Sequence, residues 1–459
     1  MSDKYEVKYT IERYHQDVIE LISLVGEYGI KQITPNLDDK NDMHKFFIEV
    51  HNGWKIAQKK IKNIALEIYE EIKSVELLIK KSATKNSMDK KYYKYCIKIL
   101  TFRLKSLLKM IDAIIWTIFS RKEHQLRRLY SGKDQIHLNR TNIEELFLVI
   151  NEINNNETQI AIAFDLSTFA HIGDYVHLNL DSGSFSIVEL KSGEKNLKIL
   201  TALKNFNEHG CLKRFFFDAE VKSKKDTEQV KRIIRQEERA LNLMNIIKND
   251  EGEDYSTGMN IRLPKEEIEV ESYACKIVEM LSQLTEQKKW ALSTIDECLF
   301  LGMYHKDCIM SPYGIFSTWM NMINVKSEVI DYRTVFMGNM YHPPLAHLMP
   351  LEFSKKIYLE EICFLMCLDF NRLMKYAKER EINIYLGGKK ETNRLITQQK
   401  NVHFVTVNDR VIHVETKNGV MTIADGLLTK IYYSFLSPLS LIFAFSQGNN
   451  DINSSQETL

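Results

Sequence analysis

Two carboxylates and a lysine stand at chemically useful spacing in the segment 172–193, IGDYVHLNLDSGSFSIVELKSG. Asp174 follows a glycine at the start of an alternating apolar–polar stretch. Glu189 and Lys191 end the next such stretch, two residues apart, and so leave the same face of a strand. Leu190 between them points to the other face. Fourteen residues separate Asp174 from Glu189, with Asp181-Ser182-Gly183-Ser184 as a tight-turn sequence between them. A hairpin of this length sets the start of its first strand level with the end of its second. Asp174, Glu189 and Lys191 then converge at one end of a sheet. Close carboxylates repel unless a cation lies between them. Oxygen donors of this kind suit a hard divalent ion, Mg²⁺ or Mn²⁺. Such an ion polarises a phosphodiester and lowers the pKa of a bound water. Lys191 would orient or deprotonate that water, or stabilise the negative transition state.

The elements that position these groups follow from the change of period near residue 140. Thr141-Asn142 caps a predicted short helix over 143–153, with Glu144 and Glu145 in its first turn. QIAIAFDL then reads as a buried strand, YVHLNLDSG as an alternating one and SFSIVEL as a third. A helical piece around 197–208, a strand over RFFFDAEV and a charged helix over 227–247 complete the order α-β-β-β-α-β-α.

GD, a hairpin and then V-E-L-K-S-G resembles the PD-(D/E)xK, or restriction-endonuclease-like, nuclease superfamily. The resemblance covers roughly residues 140–250, where the αβββαβ order also matches. It implies that Asp174, Glu189 and Lys191 are catalytic. It implies a metal held by Asp174, Glu189 and a glutamate of the first helix, with Glu145 preferred to Glu144. Gly173 replaces the family's proline. Many relatives carry a glutamine on a later helix; Gln229 is the nearest candidate and Gln236 the second. The same resemblance implies hydrolysis of nucleic acid, with DNA the expected substrate, and a prokaryotic role in defence against foreign DNA or in repair. The rival is a non-catalytic scaffold that binds nucleic acid or protein through a relic of the same fold.

A nucleic-acid surface would accompany such a site. From 185 to 235 there are 12 Lys and Arg against 7 Asp and Glu. Lys195 and Arg232 are candidates for phosphate contact, with Lys222, Lys224, Lys225, Lys231 and Arg235 around them. A solvated helix and loop explains the same charges equally well. GGKKET at 387–392 lacks the spacing of a P-loop. His342 and His347 lack a nearby acid or thiol and read as an ordered loop. His171 and His177, which flank Asp174, read as structural.

The rest of the chain bounds the answer. Net charge is +1 over 459 residues, which argues against a uniformly basic coat. The seven cysteines are scattered and odd in number, as reduced intracellular thiols are. Cys363 and Cys367, one helical turn apart, read as core. MSDKYEVKYT lacks the apolar stretch of a leader. The longest apolar runs are too short for a membrane span, which needs about 20 residues. A cytoplasmic protein with no membrane partner is expected, and a homo-oligomer pairing two active sites stays open. The expected fold is α/β. A helical N-terminal domain spans 1–138, the nuclease-like domain 139–250 and a mixed α/β C-terminal domain 251–445, before a disordered tail over 446–459. In the N-terminal domain, helical periodicity runs over 43–81 and again over 90–130, joined at 82–89. In the C-terminal domain, helices are predicted over 265–287, 289–301 and 355–380, and strands over 402–407, 410–416 and 420–425, after a linker at 249–260.

Overall fold

The computed structural model describes residues 5–82, 87–130, 138–190, 194–209, 212–249, 251–253, 260–262, 270–399, 402–417 and 419–447. It is a mixed α and β protein. The chain groups into two compact units. One comprises Met1–Gly26, Val75–Ala113 and Arg262–Leu459, the other Glu27–Ser74 and Ile114–Ile261. The stretch expected as a separate N-terminal domain over 1–138 is therefore divided between the two, and the boundary expected at 250 falls at 261.

The helices of that stretch are α1 (Ile11–Ile22), α2 (Lys40–Ser82) and α3 (Ser87–Ile118). The predicted periodicity is real. Trp54, Ala57, Ile61, Ile64, Ile68 and Ile72 of α2 are all buried, because residues three and four apart share one helix face.

The unit that carries Asp174 contains α4 (Arg140–Asn154) and three strands, β1 (Gln159–Ala163), β2 (Tyr175–Asn179) and β3 (Ser184–Val188). They form an antiparallel meander in the order β1-β2-β3. Helices α5 (Glu194–His209), α6 (Leu212–Asp218) and α7 (Lys224–Asn249) follow. Helix α4 starts earlier than predicted, because the Asn139 side chain accepts from the Thr141 amide at 3.0 Å and caps it.

The predicted strand over RFFFDAEV is a helix, α6. A strand would put Phe215 and Phe217 on one face; here Phe215 is buried and Phe217 exposed. Phe215 packs with Ala219 one turn on, and with Ile199, Ala202, Val230 and Ile233. Three helices thus follow β3, in place of a helix, a strand and a helix. Of the predicted linker, 250 and 254–259 lie outside the described residues, and Glu251–Glu253 is a short strand.

The other unit holds α8 (Ala274–Ser282), α9 (Pro312–Met322), α10 (Leu351–Tyr358) and α11 (Phe370–Glu379). Its first sheet has the order β4-β5-β7-β6, from β4 (Trp290–Ile295), β5 (Leu299–His305), β6 (Ile330–Asp331) and β7 (Ile362–Leu368). The predicted helix over 289–301 is thus a hairpin, and the one over 355–380 is split by β7. Cys363 and Cys367 lie on that strand, Cys367 fully buried. A central strand covered on both faces reads as an unbroken apolar run, which periodicity alone does not separate from a buried helix.

The second sheet contains the three predicted strands, the first of them shortened to Thr406–Val407, and one that was not predicted, Ile384–Leu386. It is built from β8 (Ile384–Leu386), β9 (Thr406–Val407), β10 (Arg410–Thr416) and β11 (Gly419–Thr422), with α12 (Lys389–Gln398) following β8. Asn408 and Asp409 take φ of 51° and 59° in the turn between β9 and β10, as a two-residue hairpin requires. Most of the predicted tail lies outside the described residues. No helix among the described residues is long and apolar enough to cross a membrane.

Candidate active site

The register of the β2–β3 hairpin sets the geometry. Tyr175 pairs with Val188 and Asn179 with Ser184. Asp174, one residue before β2, is therefore level with Glu189, one residue after β3. The turn is held from within. Asn179 Oδ1 accepts from the Asp181 and Ser182 amides at 2.9 and 3.2 Å, and Gly183 supplies a φ of +60°.

Asp174 is clamped on both sides. Its amide donates to Val188 O at 2.7 Å, and its carbonyl accepts from the Phe164 amide at 2.8 Å. The Leu190 amide donates to its carboxylate Oδ2. Gly173 makes the approach possible. Its φ is +85°, and a Cβ there would stand 2.5 Å from Ile187 Cγ2 and 3.1 Å from Val188 O. A proline, with φ held near −65°, does not fit this backbone.

Glu189 is half-buried, and its Oε1 accepts from Gln236 Nε2 at 2.7 Å. Gln236 lies on α7. The preferred candidate, Gln229, sits two turns earlier and instead donates to Asn196 Oδ1 at 2.6 Å, tying α7 to α5. Of the two predicted glutamines, the second is the one at the site.

Glu145 is exposed on α4, whose buried face is Ile143, Leu146, Phe147 and Ile150. Its neighbour Glu144 pairs with Lys62 at 3.1 Å. Among the described residues no group of three or more His, Cys, Asp and Glu is placed to hold a metal ion, so Glu145 does not join Asp174 and Glu189 in such a group. Lys191 lies outside the described residues. Lys195 donates to Glu220 O at 2.6 Å and pairs with Asp226 at 3.1 Å, so it serves helix packing. Arg232 is exposed on α7.

One carboxylate at this sheet end was not anticipated. Asp165 is the second residue after β1, in the helical turn Phe164–Leu166. Its side chain reaches water, yet protein atoms crowd its inner side. That partial desolvation, and secondly the charge of Glu189, raise its pKa. In an antiparallel meander the residues just after β1 lie at the same end as those just before β2, so the acid ending QIAIAFD was the available signal. Burial first, then Asp174, raises the Tyr175 phenol in the same way.

Both flanking histidines make contacts within the fold. The His171 amide donates to Leu129 O at 2.8 Å, and its ring packs on Tyr130. His177 meets Gln159 Oε1 at 3.0 Å, and burial lowers its pKa.

The far edge of the sheet is closed by side chains. Gln58 of α2 donates to Ala161 O at 2.6 Å and accepts from the Ala163 amide at 3.3 Å. Asn154 accepts from the Ala161 amide at 2.7 Å and donates to its carbonyl at 3.2 Å. These bonds satisfy groups of β1 that a neighbouring strand would otherwise meet.

No protein-family model matches this chain, and no curated protein or solved structure matches it significantly.

Proposed function

We propose that this chain is a metal-dependent nuclease that hydrolyses phosphodiester bonds of nucleic acid, with DNA as its substrate. The observation that carries the reading is the hairpin register, which sets Asp174 level with Glu189 and so beside the sequence that continues to Lys191. The donor set fits a hard divalent cation. Both groups offer carboxylate oxygens, and the repulsion that Glu189 exerts on Asp165 is the kind a cation relieves. Asp174 and Glu189 would hold Mg²⁺ or Mn²⁺, and the bound ion would supply Lewis acidity and a more acidic water. The chain's own groups fix the carboxylates. The Leu190 amide holds one oxygen of Asp174, and Gln236 holds one of Glu189. Such supporting hydrogen bonds orient ligands and tune them. Lys191 would take a proton from the attacking water or balance charge on phosphorus. The resemblance extends the proposal to defence against foreign DNA or to repair, and a homo-oligomer would bring two sites to a duplex.

A second reading has one observation in its favour. The segment expected to supply the fourth strand is helical, which suits a binding scaffold that has kept only the three-stranded meander. Cleavage of plasmid, linear duplex and single-stranded DNA with Mg²⁺ or Mn²⁺ separates the two. Cutting that EDTA, Asp174→Ala and Lys191→Ala each abolish supports the nuclease. Equal activity in all three proteins locates the activity elsewhere. Silence on every substrate, with DNA still bound, favours the scaffold.

A further inference from the structure

The other unit contains a strand–glycine–helix passage that the nuclease proposal does not use. Strand β8 ends at Leu386, Gly387 and Gly388 follow, and α12 begins at Lys389. Gly388 is the N-cap and has no side chain to offer. The amides of Lys389, Lys390 and Glu391 are first-turn donors that no carbonyl of the helix reaches. They form the positive end of the helix dipole. The space in front is open, since a Cβ on Gly388 would meet nothing within 4 Å. Lys389 and Lys390 are both exposed there. Two cations in the first turn oppose the dipole unless an anion joins them.

His413 supplies an independent observation. It lies on β10, only 3% exposed. Its ring lies against Gly387, where a Cβ would stand 2.7 Å from Nε2. Nδ1 is 3.0 Å from Thr422 Oγ1, whereas Nε2 has no hydrogen-bond partner. The Glu391 carboxylate is the charged group beside it, its Oε1 at 3.4 Å. The other oxygen of Glu391 accepts from the Gly388 amide at 3.2 Å. One half-exposed carboxylate thus stands between a buried imidazole nitrogen and the head of a helix.

We infer that this passage binds a phosphate group, with Glu391 standing in for it when the site is empty. A tetrahedral oxyanion accepts from several directions at once. It can take the Gly388 amide that Glu391 releases, the first-turn amides and His413 Nε2–H, while Lys389 and Lys390 balance its charge. The group could arrive as inorganic phosphate or on a small phosphomonoester.

Titration calorimetry on the full chain tests this, with inorganic phosphate and a nucleoside monophosphate as probes at constant ionic strength. Glu391→Gln keeps an acceptor for the Gly388 amide and removes the competing charge. It binds phosphate about three- to tenfold more tightly than wild type, the scale of one charge at a helix N-terminus. Gly388→Asp fills the open space with a carboxylate and weakens binding by at least about tenfold. The surface variant Lys389→Ala/Lys390→Ala weakens it too, and circular dichroism verifies that each variant is folded. Equal affinity for both probes identifies the phosphate group alone as the ligand; preference for the monophosphate identifies a phosphoester. The inference is overturned if wild type and Glu391→Gln both fail to bind either probe, or if binding is unchanged in Gly388→Asp.

Discussion

Gln236 Nε2 donates to Glu189 Oε1 across 2.7 Å, from α7 to the end of β3. If Glu189 is a metal ligand, this bond sets its orientation. Gln236→Ala therefore lowers metal-dependent cleavage by about 10- to 100-fold, the range for removing a supporting hydrogen bond from a metal site. Part of the loss returns at higher Mg²⁺. Gln229→Ala breaks the bond to Asn196; it costs about 1 kcal/mol of stability and leaves cleavage intact. Glu145→Ala, on the exposed side of α4, also leaves cleavage intact. Loss of activity in Glu145→Ala would restore that residue to the site.

Asp165 carries a raised pKa, from partial burial first and Glu189 second. A carboxyl whose folded pKa lies above its unfolded value opposes folding when ionised. The penalty is absent below the unfolded pKa and grows as pH rises through the folded one. In EDTA at neutral pH, Asp165→Asn is therefore more stable than wild type, and the gap closes on acidification through the carboxylate range. Urea midpoints for the two proteins across pH test it; a constant gap would mean that charge is not the cause.

His51, on α2, is 4% exposed, and its Nδ1 has no hydrogen-bond partner. Burial, with Lys55 adding to it, depresses its pKa from 6.5 to about 4. The unfolded chain then takes up this proton first. Stability is undiminished above pH 6.5 and falls as pH drops toward 4, by at most about 1.4 kcal/mol per pH unit from this group. His51→Leu should show a shallower loss between those limits in urea melts.

Gly173 occupies a backbone conformation with φ +85° and no room for a Cβ. Gly173→Ala costs more than the 1–2 kcal/mol or so of a left-handed L-residue, because Ile187 must also move. Gly173→Pro, which fixes φ near −65°, is worse still and lowers the thermal midpoint further. A Gly173→Pro variant as stable as wild type would show that the approach to Asp174 is not built as described.

What the sequence revealed follows from how local each signal is. The β2–β3 hairpin was legible because its turn residues and its alternation agree, and a hairpin's register follows from its turn. The β9–β10 turn was legible for the same reason. Residues 212–218 were not, because Phe215 and Phe217 alternate like a strand, and only packing against Ile199 and Val230 decides for a helix. The apolar runs at 299–305 and 362–368 were misread or split because both faces of those strands are covered. Gln236 was ranked below Gln229 because sequence does not tell how far along β3 a helix two turns away will sit.

The side chains that close β1 have a consequence for association. Gln58 and Asn154 occupy the hydrogen-bonding positions at Ala161 and Ala163, where an incoming strand would have to pair. Another chain cannot lengthen this sheet from the β1 side without first unseating two amides. Assembly by strand addition is thus blocked at that margin, and any pairing of copies through this sheet must use β3 or the helices around it.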